Sequence, residues 1–120
     1  MKNKTLIIGA SINAERYSYK AAEKLLANSH QIYMIGNKTG TLFNHEIVKD
    51  QTPFTDVDTV TMYVSAKNQT SYYEYILSLK PRRVIFNPGT ENLVFAKQLE
   101  SKGIIADESC TLVLLATNIY

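Results

Sequence analysis

The stretch IIGASINAERYS, Ile7 to Ser18, decides how the rest of the chain is read. An apolar run stops at Gly9, a short polar turn follows, and beyond Tyr17 the residues Ala21, Ala22, Leu25 and Leu26 recur at helical spacing. A short, continuous apolar run is what a strand buried on both faces of a parallel sheet requires. Strand, glycine turn and helix together form the opening of a phosphate-holding βα unit. The Gly-x-Gly-x-x-Gly spacing of dinucleotide enzymes is nevertheless absent: Ser11 stands at the second glycine and Ala14 at the third.

Working outward, the same alternation repeats. QIYMIG predicts a second strand ending at Gly36. DTVTMYV, from Asp58, predicts a third, with Val60, Met62 and Val64 on one face and Tyr63 on the other. A helix is expected from about Asn68 to Leu79, with Tyr72, Ile76 and Leu79 on one stripe and Pro81 just past its end. RVIFNPG gives another strand that stops at Pro88-Gly89. Thr90 is then expected to cap a helix carrying Glu91 in its first turn and ending at Gly103. GIIAD is the last clear strand. Gly40 to Thr55 is expected to hold one short strand around Glu46–Val48. The tail CTLVLLATNIY is readable as a short helix, an added strand or a contact surface. Strands alternating with helices of this length indicate βαβ units. The expected fold is α/β, a Rossmann-like doubly wound and mostly parallel sheet with helices on both faces.

Residues 1–120 suit one domain with a core of its own. A net charge of +2, dispersed along the chain, disfavours a nucleic-acid surface. No apolar run approaches the length of a membrane span, and the first one is too short for a secretory signal. The single cysteine, Cys110, excludes an internal disulfide framework, and a cytoplasmic location is the expectation.

In a doubly wound sheet the ligand lies beyond the carboxyl ends of the strands, where strand order reverses. The loops expected there are Gly9–Arg16, Gly36–Gly40, Val64–Asn68 and Asn87–Asn92. Gly9 lets a ligand approach the backbone, Ser11 supplies a hydroxyl, and Arg16 supplies a guanidinium suited to phosphate. A tight βα turn with a surface arginine accounts for the same residues. The end of the second strand has no Asp or Glu to hold ribose hydroxyls, and GNKTG offers Lys38 instead. That disfavours NAD and suits a nucleotide with an additional ribose phosphate, NADP or coenzyme A; a solvated turn lysine is the alternative. No catalytic residues and no metal site are expected. His30 and His45 lack partners at metal-ligand spacing, and Asp107 and Glu108 have no visible base or nucleophile to serve. Cys110 can lie near the crevice, although a small buried thiol is the ordinary explanation.

GASINAERYS resembles the Gly-Ala-Ser-x-x-Pro-x-Arg-Tyr-Ser opening of small stand-alone CoA-binding proteins, related to the nucleotide-binding domain of the succinyl-CoA synthetase α subunit. VDTVTMYV, IFNPGTEN and ADESCTL are similar to that family's later strand ends, in the same order. The resemblance implies coenzyme A as the ligand, with Gly9, Ala10, Ser11 and Arg16 at the phosphate loop. It implies Gly36, Asn37 and Lys38 beside the adenosine, and Val64, Ser65, Asn87, Pro88 and Gly89 along the pantetheine arm. The leading expectation is a module that binds coenzyme A or an acyl-CoA without chemistry of its own. Ala14 replaces the family's loop proline, and Gly36-Asn37 replaces its Asn-Pro. The alternatives are a small NAD(P)-binding enzyme or redox sensor, and a ligand-free interaction module whose apolar tail offers a homodimer contact.

Overall fold

Seven strands form a single sheet in the order β3-β4-β2-β1-β5-β6-β7 in the computed structural model, which describes residues 3–120. Met1 and Lys2, part of the single-domain expectation, lie outside the described residues. The strands are β1 (Thr5–Ile8), β2 (Ile32–Ile35), β3 (Gly40–Leu42), β4 (His45–Val48), β5 (Thr59–Met62), β6 (Arg83–Phe86) and β7 (Ile105–Asp107). All neighbours run parallel except the β3–β4 hairpin at one edge. The helices are α1 (Tyr17–Ala27), α2 (Tyr73–Leu79), α3 (Leu93–Ser101) and α4 (Thr111–Ala116).

The central strand β1 is buried along its whole length, and its side chains alternate between two cores. Leu6 and Ile8 point toward α2 and α3, where they join Val60, Met62, Phe86, Phe95 and Leu99. Ile7 points toward α1 and α4, where it joins Met34, Ile47, Ala22, Leu25 and Leu115. A parallel sheet covered on both faces needs apolar residues at every position of its inner strands, which explains the unbroken run at residues 5–8. The Val60 and Met62 face of β5 lies on the α2/α3 side and Tyr63 on the other, as the alternation predicts. Among the described residues no helix is long and apolar enough to cross a membrane.

Three local expectations need correction. The segment after β2 holds two strands, because Phe43 and Asn44 both adopt positive φ (51° and 63°) and turn β3 directly into β4. Two consecutive left-handed residues are what a tight hairpin demands. The helix expected from Asn68 begins only at Tyr73; two 3-10 turns, Ala66–Asn68 and Thr70–Tyr72, precede it. Gln69 explains the interruption. Its fully buried amide bonds the carbonyls of Val64 (3.0 Å) and Thr90 (2.7 Å), which pins the chain to its neighbours before a regular helix can begin. Finally, Asn92 rather than Thr90 caps α3, its Oδ1 accepting the Phe95 amide at 3.0 Å. Thr90 instead donates to the Asn87 carbonyl, and Glu91 accepts from the Gly89 amide. The tail after Cys110 forms α4.

Candidate functional site

Strand order reverses between β1 and β5, the two strands that open toward opposite edges of the sheet. The ends of β1, β5 and β6 and the start of α1 surround a crevice of about 280 Å³ there. Its walls are built from the β1–α1 connection (Gly9, Glu15 to Ser18), from Tyr63 and Ser65 after β5, and from Pro88 to Thr90 after β6.

Gly9 makes the floor. Its φ is +96°, and a Cβ there would lie 2.8 Å from the Tyr63 carbonyl oxygen. Only glycine satisfies both the left-handed backbone and the close approach of the β1 and β5 ends. The amides of Gly9 and Ala10 both donate to the Ile35 carbonyl at 2.9 Å, so they tie β1 to β2 and do not face the crevice. The connection then folds on itself: the Asn13 amide donates to the Ser11 hydroxyl and the Glu15 amide to the Asn13 side chain, each at 3.0 Å. These local turns hold the loop where the family's proline would have stiffened it.

The start of α1 leaves backbone donors open. Arg16 is the N-cap of α1 with extended backbone (φ −79°, ψ 142°), no side chain caps the helix, and its first turn carries no acidic residue. The first intrahelical bond runs from the Lys20 amide to the Arg16 carbonyl, so the amides of Tyr17, Ser18 and Tyr19 have no acceptor within the helix. Tyr17 and Ser18 line the crevice, Arg16 is exposed beside them, and the positive end of the helix dipole lies there too. This wall is suited to an anion. Glu15 contributes the one carboxylate to the lining.

The opposite wall is braced from beneath. The side chain of Asn87, buried at the end of β6, donates to Thr61 Oγ1 (2.7 Å) and the Met62 carbonyl (2.8 Å) and accepts from the Thr111 amide (2.9 Å). Thr61 and Thr111 are themselves joined through their hydroxyls at 2.8 Å. A second group links Gln69, Asn92 and Tyr73, with Asn92 Nδ2 donating to Gln69 Oε1 (3.0 Å) and Tyr73 Oη (2.8 Å). Together they fix the loops after β5 and β6, so Ser65 and Pro88-Gly89 are presented on rigid supports. Tyr63 lies between this brace and the crevice. Burial pushes its phenol up to about 12, although the Thr111 and Thr61 hydroxyls pull the other way. Its phenol therefore stays protonated and neutral at ordinary pH.

The expected site residues therefore separate. Gly9, Arg16, Ser65, Pro88 and Gly89 come together on the crevice. Ala10 and Asn87 are buried beneath it, and Val64 is half-buried with its carbonyl bonded to Gln69. Ser11 is half-buried within the loop turns. Gly36 is buried where β2 crosses the β1 loop, and a Cβ there would be 2.4 Å from the Ala10 carbonyl oxygen. Asn37 and Lys38 are exposed on the β2 side. Glu15 and Thr90 line the crevice from within the expected loops, and Tyr17, Ser18 and Tyr63 line it without having been expected there. Tyr17 and Ser18 are legible as the first turn after Arg16; Tyr63 depends on how the strand ends pack. Cys110 is half-buried at the N-cap of α4. Among the described residues no three His, Cys, Asp or Glu side chains come together as a metal-binding group.

A family model described as a CoA binding domain matches residues 3–116. The solved structure of an uncharacterised protein is 44% identical, covers 100% of this chain and 99% of its own, and superposes with a TM-score of 0.97. A hypothetical protein from Pyrococcus horikoshii OT3 (20% identity, 98% of this chain, 84% of its own, TM-score 0.85) has the same fold. So does a protein from Thermus thermophilus (17% identity, 99% of this chain, 91% of its own, TM-score 0.83). No curated protein sequence matches the chain.

Proposed function

The chain belongs to the CoA-binding domain family, and from that premise we propose that it binds coenzyme A in the β1/β5 crevice and acts as a binding module without chemistry of its own. The observation that carries this reading is the anion-suited wall at the start of α1. The open amides of Tyr17 and Ser18, the positive helix end and the Arg16 guanidinium all border a pocket floored by Gly9. The residues fit a diphosphate: open amides and a guanidinium converge, the helix's first turn contains no carboxylate, and Glu15 is the one acidic side chain in the lining. The adenosine extends toward Gly36, Asn37 and Lys38, where Lys38 answers a ribose phosphate. The pantetheine arm passes Val64 and Ser65 on one side and Asn87, Pro88 and Gly89 on the other. In this reading Asn87 acts by holding the wall, since its amide is already fully engaged. Ala10 and Ser11 shape the loop in the same indirect way.

Calorimetric titration with coenzyme A, dephospho-coenzyme A, NAD and NADP tests the reading. Coenzyme A should bind in the micromolar range, and Arg16→Ala should weaken it about tenfold or more, the loss expected of a charge-assisted phosphate contact. Dephospho-coenzyme A should bind more weakly than coenzyme A. Equal affinities would remove the role given to Lys38, and absence of coenzyme A binding at millimolar concentration would overturn the proposal. Preferential binding of NADP would replace it with the redox-cofactor reading.

A further inference from the structure

The two walls of the crevice differ in charge. Open backbone donors and the Arg16 guanidinium lie at the start of α1, where a diphosphate is best held. The opposite wall has its donors engaged. The Gly89 amide donates to Glu91 Oε1 at 2.9 Å, and the Thr90 amide donates to the Asn87 carbonyl at 2.9 Å. Ser65 Oγ accepts from Asn68 Nδ2 at 3.0 Å. Among the described residues no basic side chain from the loops after β5 and β6 lines the crevice. Lys67, in the turn after Ser65, is exposed and outside the lining.

Two carboxylates border the space that remains. Glu91 brings its charge to a backbone atom of the wall itself, because Gly89 lines the crevice. Gly89 faces open space: its φ is +91°, and a Cβ there would meet nothing within 4 Å. Glu15 lines the crevice from the β1–α1 connection. Both glutamates are exposed, and neither joins an ion pair among the described residues. An anionic group brought along Pro88-Gly89 meets like charge there, with no basic side chain of the same loops to offset it. An uncharged group meets no such opposition. A site selects by what it repels as well as by what it attracts.

We propose that the crevice discriminates among coenzyme A thioesters by charge, accepting uncharged acyl groups and rejecting those that end in a carboxylate. Glu91 is the principal determinant and Glu15 the second. The proposal rests on the reading that coenzyme A binds here with its pantetheine arm along Pro88-Gly89. Propionyl- and malonyl-coenzyme A are a matched pair, because malonyl carries a carboxylate in place of the terminal methyl. In calorimetric titrations of the full chain at low ionic strength, malonyl-coenzyme A should bind about tenfold more weakly than propionyl-coenzyme A. Added salt should narrow that gap. Glu91→Gln keeps an acceptor for the Gly89 amide and removes the charge, so the gap should shrink about threefold. The double variant E15Q/E91Q should nearly abolish it, and circular dichroism checks that both variants are folded. Equal affinities of the native chain for the two thioesters, with coenzyme A itself bound, overturn the proposal and leave the binding reading standing. A gap that persists undiminished in E15Q/E91Q also overturns it, since size and not charge then separates the two ligands. If coenzyme A and both thioesters fail to bind, the binding reading falls and the specificity falls with it.

Discussion

At the scale of single residues, the site depends on side chains that never touch a ligand in the proposed reading. Asn87 uses both ends of its amide to fasten β6 to β5 and to the start of α4. Replacing it with alanine leaves the buried Thr111 amide without its acceptor and removes the bonds to Thr61 Oγ1 and the Met62 carbonyl, which costs about 2–3 kcal/mol. Urea denaturation of Asn87→Ala should show that loss, and coenzyme A binding should weaken as the loop after β6 loosens. Arg16→Ala should behave oppositely. Its side chain is exposed and makes no cap bond, so affinity should fall while the denaturation midpoint stays within experimental scatter. Arg16 was legible from its place one residue before a helical pattern. The full engagement of Asn87 was not, because its partners Thr61 and Thr111 lie far away in sequence and meet it only at the strand ends.

At the scale of elements, α1 and α3 end in the same way with different residues. Each closes with a pair of back-bonds, from Ser29 to Leu26 and His30 to Leu25 in α1, and from Gly103 to Glu100 and Ile104 to Leu99 in α3. The turning residue is left-handed in both, at φ 67° for Ser29 and 77° for Gly103. A serine pays a steric penalty there that glycine avoids. Ser29→Gly should therefore raise stability by about 0.5–1 kcal/mol, measured as a higher midpoint with an unchanged slope. Gly103 announced its helix end in the sequence, whereas the end of α1 lacked that signal and was visible only because the apolar periodicity stopped. The β3–β4 hairpin escaped for a related reason: Phe43-Asn44 is not a turn pair that advertises two left-handed residues. Phe43 is held there by packing, its ring 5.1 Å from that of Tyr19 on α1.

At the scale of the whole molecule, buried phenols set the alkaline limit. Burial pushes Tyr63 and Tyr75 up to about 12 and raises Tyr120 as well. In the unfolded chain each titrates near 10. The folded state thus keeps these protons longer, so their contribution is complete below about pH 10 and is lost as the pH rises toward about 12. Denaturation midpoints should be level around pH 8 and fall steadily above about pH 10, and Tyr63→Phe should lessen the slope. On the acid side, burial raises the Asp58 carboxyl, but hydrogen bonds from Arg82 and Thr59 and the charges of Arg82 and Arg83 outweigh it and hold it below its usual value. That contribution is present above the ordinary carboxylate range and fades as the pH drops through the folded value.

The sequence by itself determined the architecture and pointed to the place of the candidate site. Unbroken apolar runs closed by glycine demand strands covered on both faces, and in sheets of alternating strands and helices the crevice opens at the carboxyl edge. Those patterns are local, and each residue carries its share of them. Only the tertiary structure decided which of the expected residues border the crevice and which support it. Gly36 faces the Ala10 backbone instead of open space, the Gly9 and Ala10 amides are taken by β2, and Tyr63 enters the lining from the far side of β5. These outcomes depend on how strand ends distant in sequence approach one another. The relevant hydrogen bonds and close contacts exist only once the sheet has assembled.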